Sequence, residues 1–201
     1  EQVADAVLYE GYILYPYRAS ATKNQQRWNF GALCPPSYAK AQKGTEQSAM
    51  QTQCLVEVNS ETKLNVKARF LQLSLREIYR RPAESCLTEC QHLKNEYSQC
   101  FESVHAIELN GKIFQMWQEA VERKVAIADV AFDSIKELPI QVHYSFPAAR
   151  STEQLIDEET REQAAMFVRT QQAIEGTVEI SATLIQRTDE RELCKLSVIV
   201  R

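Results

Sequence analysis

The sequence predicts a mostly β protein, with α+β as the alternative: an antiparallel β-sandwich or open barrel carrying one or two short helices. Three observations lead there. Apolar and polar residues alternate over several short runs, an Asn-Gly pair sits between two such runs, and only two stretches carry helical spacing. The 201 residues, 44% of them apolar and 25% charged, suit one domain able to bury its own core. One β-rich domain over residues 1–201 is therefore expected. A chain that opens on Glu1-Gln2 and stops within a strand pattern at Arg201 is further expected to be the N-terminal part of a longer protein.

Along the chain, Val7 to Tyr15 is rich in β-branched and aromatic residues and predicts a buried strand ended by Pro16. Trp28, Phe30 and Leu33 suggest a second short strand, stopped by Pro35-Pro36. Ser37 to Gln53 has no sustained period and is expected to be a loop or one helical turn. From Lys63, the residues Leu64, Val66, Ala68, Phe70 and Leu73 are expected on a dry strand face, with Asn65, Lys67, Arg69 and Gln72 on the wet one. Cys54 to Val58 is its expected partner.

Ser85 to Gln99 places Leu87, Cys90, Leu93 and Tyr97 at helical spacing. Asn110-Gly111 predicts a type I′ turn pairing Val104–Leu109 with Ile113–Trp117, because both residues readily take positive φ. Extended structure is expected over Val121–Val130 and Pro139–Phe146, and a second helix over Ser151–Gln163. The last third predicts a meander of strands, with Gly176 and Thr188-Asp189-Glu190 as breaks.

Composition also bears on function. With 23 Lys and Arg against 27 Asp and Glu, the net charge is −4 and the signs are interspersed. Phosphate backbones attract a positive face, so nucleic acid is not an expected partner. No apolar run reaches the ~18 residues of a membrane helix, and no export signal is visible, so a cytoplasmic location is expected. The six cysteines are then expected as free thiols rather than disulfides.

Cys86, Cys90, His92 and Cys100 are the one cluster of metal-ligand type, offering zinc or an iron-sulfur centre as the alternative to no cofactor. Their spacing lacks the two tight pairs of a zinc knuckle, and the competing reading is thiols packed along a helix face. His92, His105 and His143 are the available catalytic bases, none in a recognisable nucleophile setting. Asp157-Glu158-Glu159 predicts a solvated charge run at a helix start. These features favour a binding module over an enzyme.

Leu8-Tyr9-Glu10-Gly11-Tyr12-Ile13-Leu14-Tyr15-Pro16-Tyr17-Arg18, followed by Lys23-Asn24, Arg27-Trp28-Asn29-Phe30-Gly31 and Pro35-Pro36-Ser37-Tyr38, resembles the opening signature of a bacterial family. That family is encoded beside uptake [NiFe]-hydrogenase genes of the oxygen-tolerant, actinobacterial type. Glu119-Ala120-Val121-Glu122-Arg123 and the segment around Gly176 extend the similarity in order. The resemblance implies a non-catalytic accessory or assembly protein whose partner is a hydrogenase subunit or maturation factor. It carries no catalytic residues. Tyr15, Tyr17, Arg18, Lys23, Asn24, Arg27 and Trp28 are the expected protein-binding residues, since aromatic area and cations that reach carboxylates suit an interface. A metal- or cluster-handling protein of the same pathway is the alternative, and a small-molecule enzyme is the third.

Overall fold

The computed structural model describes residues 2–13, 31–81, 101–188 and 190–201, with no side-chain description for residues 9–13. The described part is antiparallel β with few short helices. In chain order the elements are α1 (Gln2–Ile13), α2 (Pro36–Ala41), β1 (Met50–Val58), β2 (Lys63–Arg80), β3 (Glu102–Val104), β4 (Ala106–Leu109), β5 (Lys112–Gln115), β6 (Trp117–Ala131), α3 (Ser134–Glu137), β7 (Ile140–Phe146), β8 (Ala149–Ile156), β9 (Gln163–Gln171), β10 (Ile174–Arg187) and β11 (Glu192–Val200). One sheet runs β1-β11-β10-β7; a second runs β3-β2-β9-β8, with β6 also on β2; β4 and β5 form a separate hairpin. Among the described residues, no helix is long and apolar enough to cross a membrane.

The 18-residue β2 is the longest strand. Its even-numbered side chains Leu64, Val66, Ala68 and Phe70 face the first sheet, packing with Val125 and Ile127 of β6 against Val178 and Ile180 of β10 and Cys194 and Leu196 of β11. Alternation along β2, β10 and β11 gives the core its two walls, and Phe132 and Ile135 add to it from the α3 region. A smaller apolar group lies farther along β2, where Ile78 is fully buried and Phe167 of β9 meets Phe114 of β5 edge to face at 5.6 Å.

The turn at Asn110-Gly111 has the expected positive φ at both residues, 53° and 71°. Asn110 does more than turn the hairpin. Its side-chain amide donates to the Ile156 carbonyl and its oxygen accepts from the Glu158 N–H, tying the hairpin to the β8–β9 turn. β6, β7, β10 and β11 lie where extended structure was expected.

Several expectations are corrected. Val7 to Ile13 is helical, not a strand: Ala4, Ala6 and Leu8 favour helix, Asp5 in the first turn suits the helix dipole, and Asp5 pairs with Arg69 at 2.6 Å. Residues 14–30 lie outside the described residues. Of the second expected strand, Leu33 contributes a single parallel bridge to Gln47. Ser37–Gln53 contains α2, started by Pro36 at its first turn, and the opening of β1.

β1 does not pair with β2. The Asn59–Thr62 turn, closed by Thr62 N–H to the Asn59 carbonyl and by their side chains, carries the chain from one sheet to the other. The two strands therefore face each other across the core, β1 on β11 and β2 on β6. β9 and β10 likewise belong to different sheets, so the final third is not one meander.

Ser151–Gln163 is β8 and a turn, not a helix. Its pairing with β9 supplies backbone partners that outweigh the helix preference of its Glu and Gln residues. Asp157 still plays a capping part, accepting from the Glu159 and Thr160 N–H groups, but it closes a turn. Those bonds, Thr160 first, hold its carboxyl below the usual range. The Ser85–Gln99 helix lies outside the described residues.

Gly176 on β10 sits where a Cβ would collide with the Arg201 carbonyl oxygen and the Tyr144 hydroxyl. The carbonyl is backbone and is itself bonded to the Thr177 N–H, so it cannot swing aside. Gly176→Ala is expected to lower stability by about 3 kcal/mol, the overpacking range, read as a lower urea midpoint with an unchanged slope.

Candidate functional site: a guanidinium belt between two apolar groups

β2 keeps unbroken register with β6 from Val66 to Arg76, so its even-numbered residues stay on the inner face. After Phe70 that row turns polar: Gln72, Ser74 and Arg76 precede Ile78. Gln72 and Ser74 are nevertheless buried, at 5% and 1% exposure. The expectation that Gln72 lies on a wet face and Leu73 on the dry one is thus reversed. Leu73 faces outward and is 49% exposed.

The register brings charges together. Arg76 of β2 lies directly opposite Arg169 of β9, and Ser74 lies opposite Glu119 of β6. Like charges at opposed positions repel, and Glu119 resolves the conflict. Its Oε1 accepts from Arg76 Nη1 at 2.9 Å and its Oε2 from Arg169 Nε at 2.7 Å. Arg169 Nη1 also donates to Glu153 of β8 at 2.7 Å. Both guanidiniums lie over the Phe167 ring, at 4.6 Å for Arg76 and 5.4 Å for Arg169. Burial pulls the Arg169 pKa down, but bonding to Glu119 and Glu153 more than offsets it, leaving a net rise.

A third guanidinium continues the belt. Arg123 lies opposite Phe70, and its Nε donates to Gln72 Oε1 at 2.7 Å and its Nη2 to Gln171 Oε1 at 3.0 Å. It stands 4.9 Å from the Phe146 ring centre. Gln72 completes the chain by donating to the Gln172 carbonyl at 2.6 Å. Arg76 Nη2 likewise reaches the Gln115 carbonyl. Among the described residues, two buried side-chain atoms have no hydrogen-bond partner, Ser74 Oγ and Arg76 Nε.

Arginine keeps its proton throughout the physiological range, so the belt places fixed charge and does not transfer protons. The signal for it was in the sequence. Strict period two from Leu64 puts Gln72, Ser74 and Arg76 on the core side, and a one-residue slip at Leu73 hides it.

The expected protein-binding residues Tyr15, Tyr17, Arg18, Lys23, Asn24, Arg27 and Trp28, and the candidate ligands Cys86, Cys90, His92 and Cys100, lie outside the described residues. Among the described residues, no group of three or more His, Cys, Asp or Glu is placed to hold a metal. His105 and His143 are both exposed, one beside β4 and the other on β7. Cys194 is buried in the core, where burial pushes its thiol up, while Cys54 is exposed and Cys34 half-buried. An open depression of about 520 Å³ lies between Arg80, Arg81, Leu109, Asp157 and Glu162, with Arg81 paired to Glu162 at 2.9 Å.

No family model, curated protein or solved structure matches the chain.

The unpartnered hydroxyl yields a direct expectation. A buried hydroxyl without a partner destabilises the fold, and a methyl group in its place avoids that desolvation. Ser74→Ala is expected to raise stability by about 1 kcal/mol in urea unfolding. A loss of similar size would mean that Ser74 Oγ is hydrogen-bonded in solution.

Proposed function

We propose that the chain is a non-catalytic accessory module that binds a protein, and that its partner is a [NiFe]-hydrogenase subunit or maturation factor in the cytoplasm. The nature of the partner rests on the N-terminal resemblance. The reading of a protein-binding surface is carried by one observation on the second sheet. Leu73 and Leu75 stand 49% and 44% exposed on the outer face of β2, where both pair with β6 and where pairing with β9 begins at Leu75.

Scattered exposed leucines are ordinary on a protein surface. These two are neighbours on one strand face, with Leu71 half-buried beside them. Contiguous apolar surface of this kind, rimmed by the charges of Arg69 and Glu122, suits an interface whose centre is dry and whose edge is polar. The inner face of the same strand holds the guanidinium belt.

The test is an affinity capture from hydrogenase-producing cells, probed for the hydrogenase subunits and maturation factors. The wild-type chain is expected to retain one of them, and Leu73→Glu with Leu75→Glu to reduce recovery at least tenfold with an unchanged urea midpoint. A tenfold loss corresponds to about 1.4 kcal/mol, modest for two interface leucines. Recovery of no hydrogenase component by the wild-type chain would overturn the reading.

A further inference from the structure

The sheet edges differ in how they are guarded. β7 lies between Pro139 and Pro147. β8 carries Arg150 and Glu153 and a bulge between Leu155 and Ile156. β6 carries Glu122, Lys124 and Asp129, and its register with β2 breaks near Asn65, where Asp129 takes a positive φ of 55°. β3 is only three residues long. Prolines, charges, bulges and shortness are the ordinary means by which an exposed edge avoids pairing with another chain.

β1 has no proline and no bulge, is not short, and carries a single charge. Its nine residues, Met50 to Val58, pair with β11 in uninterrupted register and contain one charge, Glu57. Met50 and Leu55 are 52% and 63% exposed. Among the described residues, nothing pairs with its other edge. An extended strand turns about half of its N–H and C=O groups to that side, each needing a partner or water.

We propose that the β1 edge pairs antiparallel with β1 of a second copy, joining two four-stranded sheets into one of eight strands across a twofold axis at Cys54. The register follows from the strand itself. Full overlap of Met50–Val58 with its own copy is achieved only with Cys54 opposite Cys54, which sets Met50 against Val58, Thr52 against Val56, Gln51 against Glu57 and Gln53 against Leu55. The one carboxylate then meets a carboxamide rather than its symmetry mate, so no like charges oppose each other. A twofold interface requires this kind of self-complementarity. The inference concerns an edge of the first sheet and is independent of the partner reading, which concerns the outer face of the second.

The experiment is light scattering of the full chain over a dilution series, with amide exchange of residues 50–58 at each end of it. Wild type is expected to approach the mass of two 23.0 kDa chains at high concentration and to protect those amides only there. Cys54→Lys puts like charges on the axis and is expected to give a monomer with those amides exchanging freely, while the β10–β11 amides keep their protection. Cys54→Ser is expected to remain dimeric. A wild-type chain monomeric throughout, or a dimer that Cys54→Lys leaves intact, would overturn the proposal.

Discussion

The carboxylate of Glu119 stands between two guanidiniums that strand register sets directly opposite each other. The β2–β9 ladder fixes the backbones of Arg76 and Arg169 opposite each other, and both side chains turn to the same face of the sheet. Two unit charges ~6 Å apart at an effective dielectric of ~20 repel by about 3 kcal/mol. Glu119 replaces that repulsion with two charge-assisted bonds and is delivered by a different strand, so it couples β6 to β9 through β2. Glu153 adds β8. One ionic group thus links side chains from four strands of one sheet.

That link matters because β2 is shared by two apolar groups that do not meet. Leu64 to Phe70 serve the sandwich core with the first sheet, and Ile78 serves the smaller group with Phe167 and Phe114. The polar stretch between them carries Gln72 and Ser74 into the interior and leaves Arg76 half-buried at its margin. Buried polar groups stabilise little in net terms, yet they discriminate strongly among alternative registers, since a slip would leave guanidiniums unpaired. Here the ionic belt specifies the alignment, and apolar burial at both ends supplies most of the stability. The same alignment turns Leu73 and Leu75 outward.

Much of this architecture was legible in the residues. Alternation marks β2 and β7, the Thr188-Asp189-Glu190 break marks the start of β11, Asn110-Gly111 marks its hairpin, and the antiparallel class follows from short strands with hairpin turns. The errors have physical causes. The sequence of α1 reads as a strand because aromatic and β-branched residues fit either state, and Asp5–Arg69 is a long-range contact. β8 reads as a helix because the partner that makes it extended, β9, lies beyond the turn that follows it. A one-residue slip at Leu73 conceals the belt, since an apolar residue on the outer face imitates continuation of the core. β2 reads as the neighbour of β1 because a four-residue turn normally closes a hairpin, whereas Asn59–Thr62 crosses between layers.

The most direct test of the central claim is the effect of Glu119→Gln in two backgrounds, measured by urea unfolding. In the native background the substitution leaves two opposed guanidiniums without their carboxylate, and a loss of about 2 kcal/mol is expected for a half-buried network. In a chain where Arg76 and Arg169 are both leucine, Glu119 has lost those two partners, and the same substitution is expected to be neutral or stabilising. Equal losses in both backgrounds would show that Glu119 acts independently of the two arginines and would contradict the account.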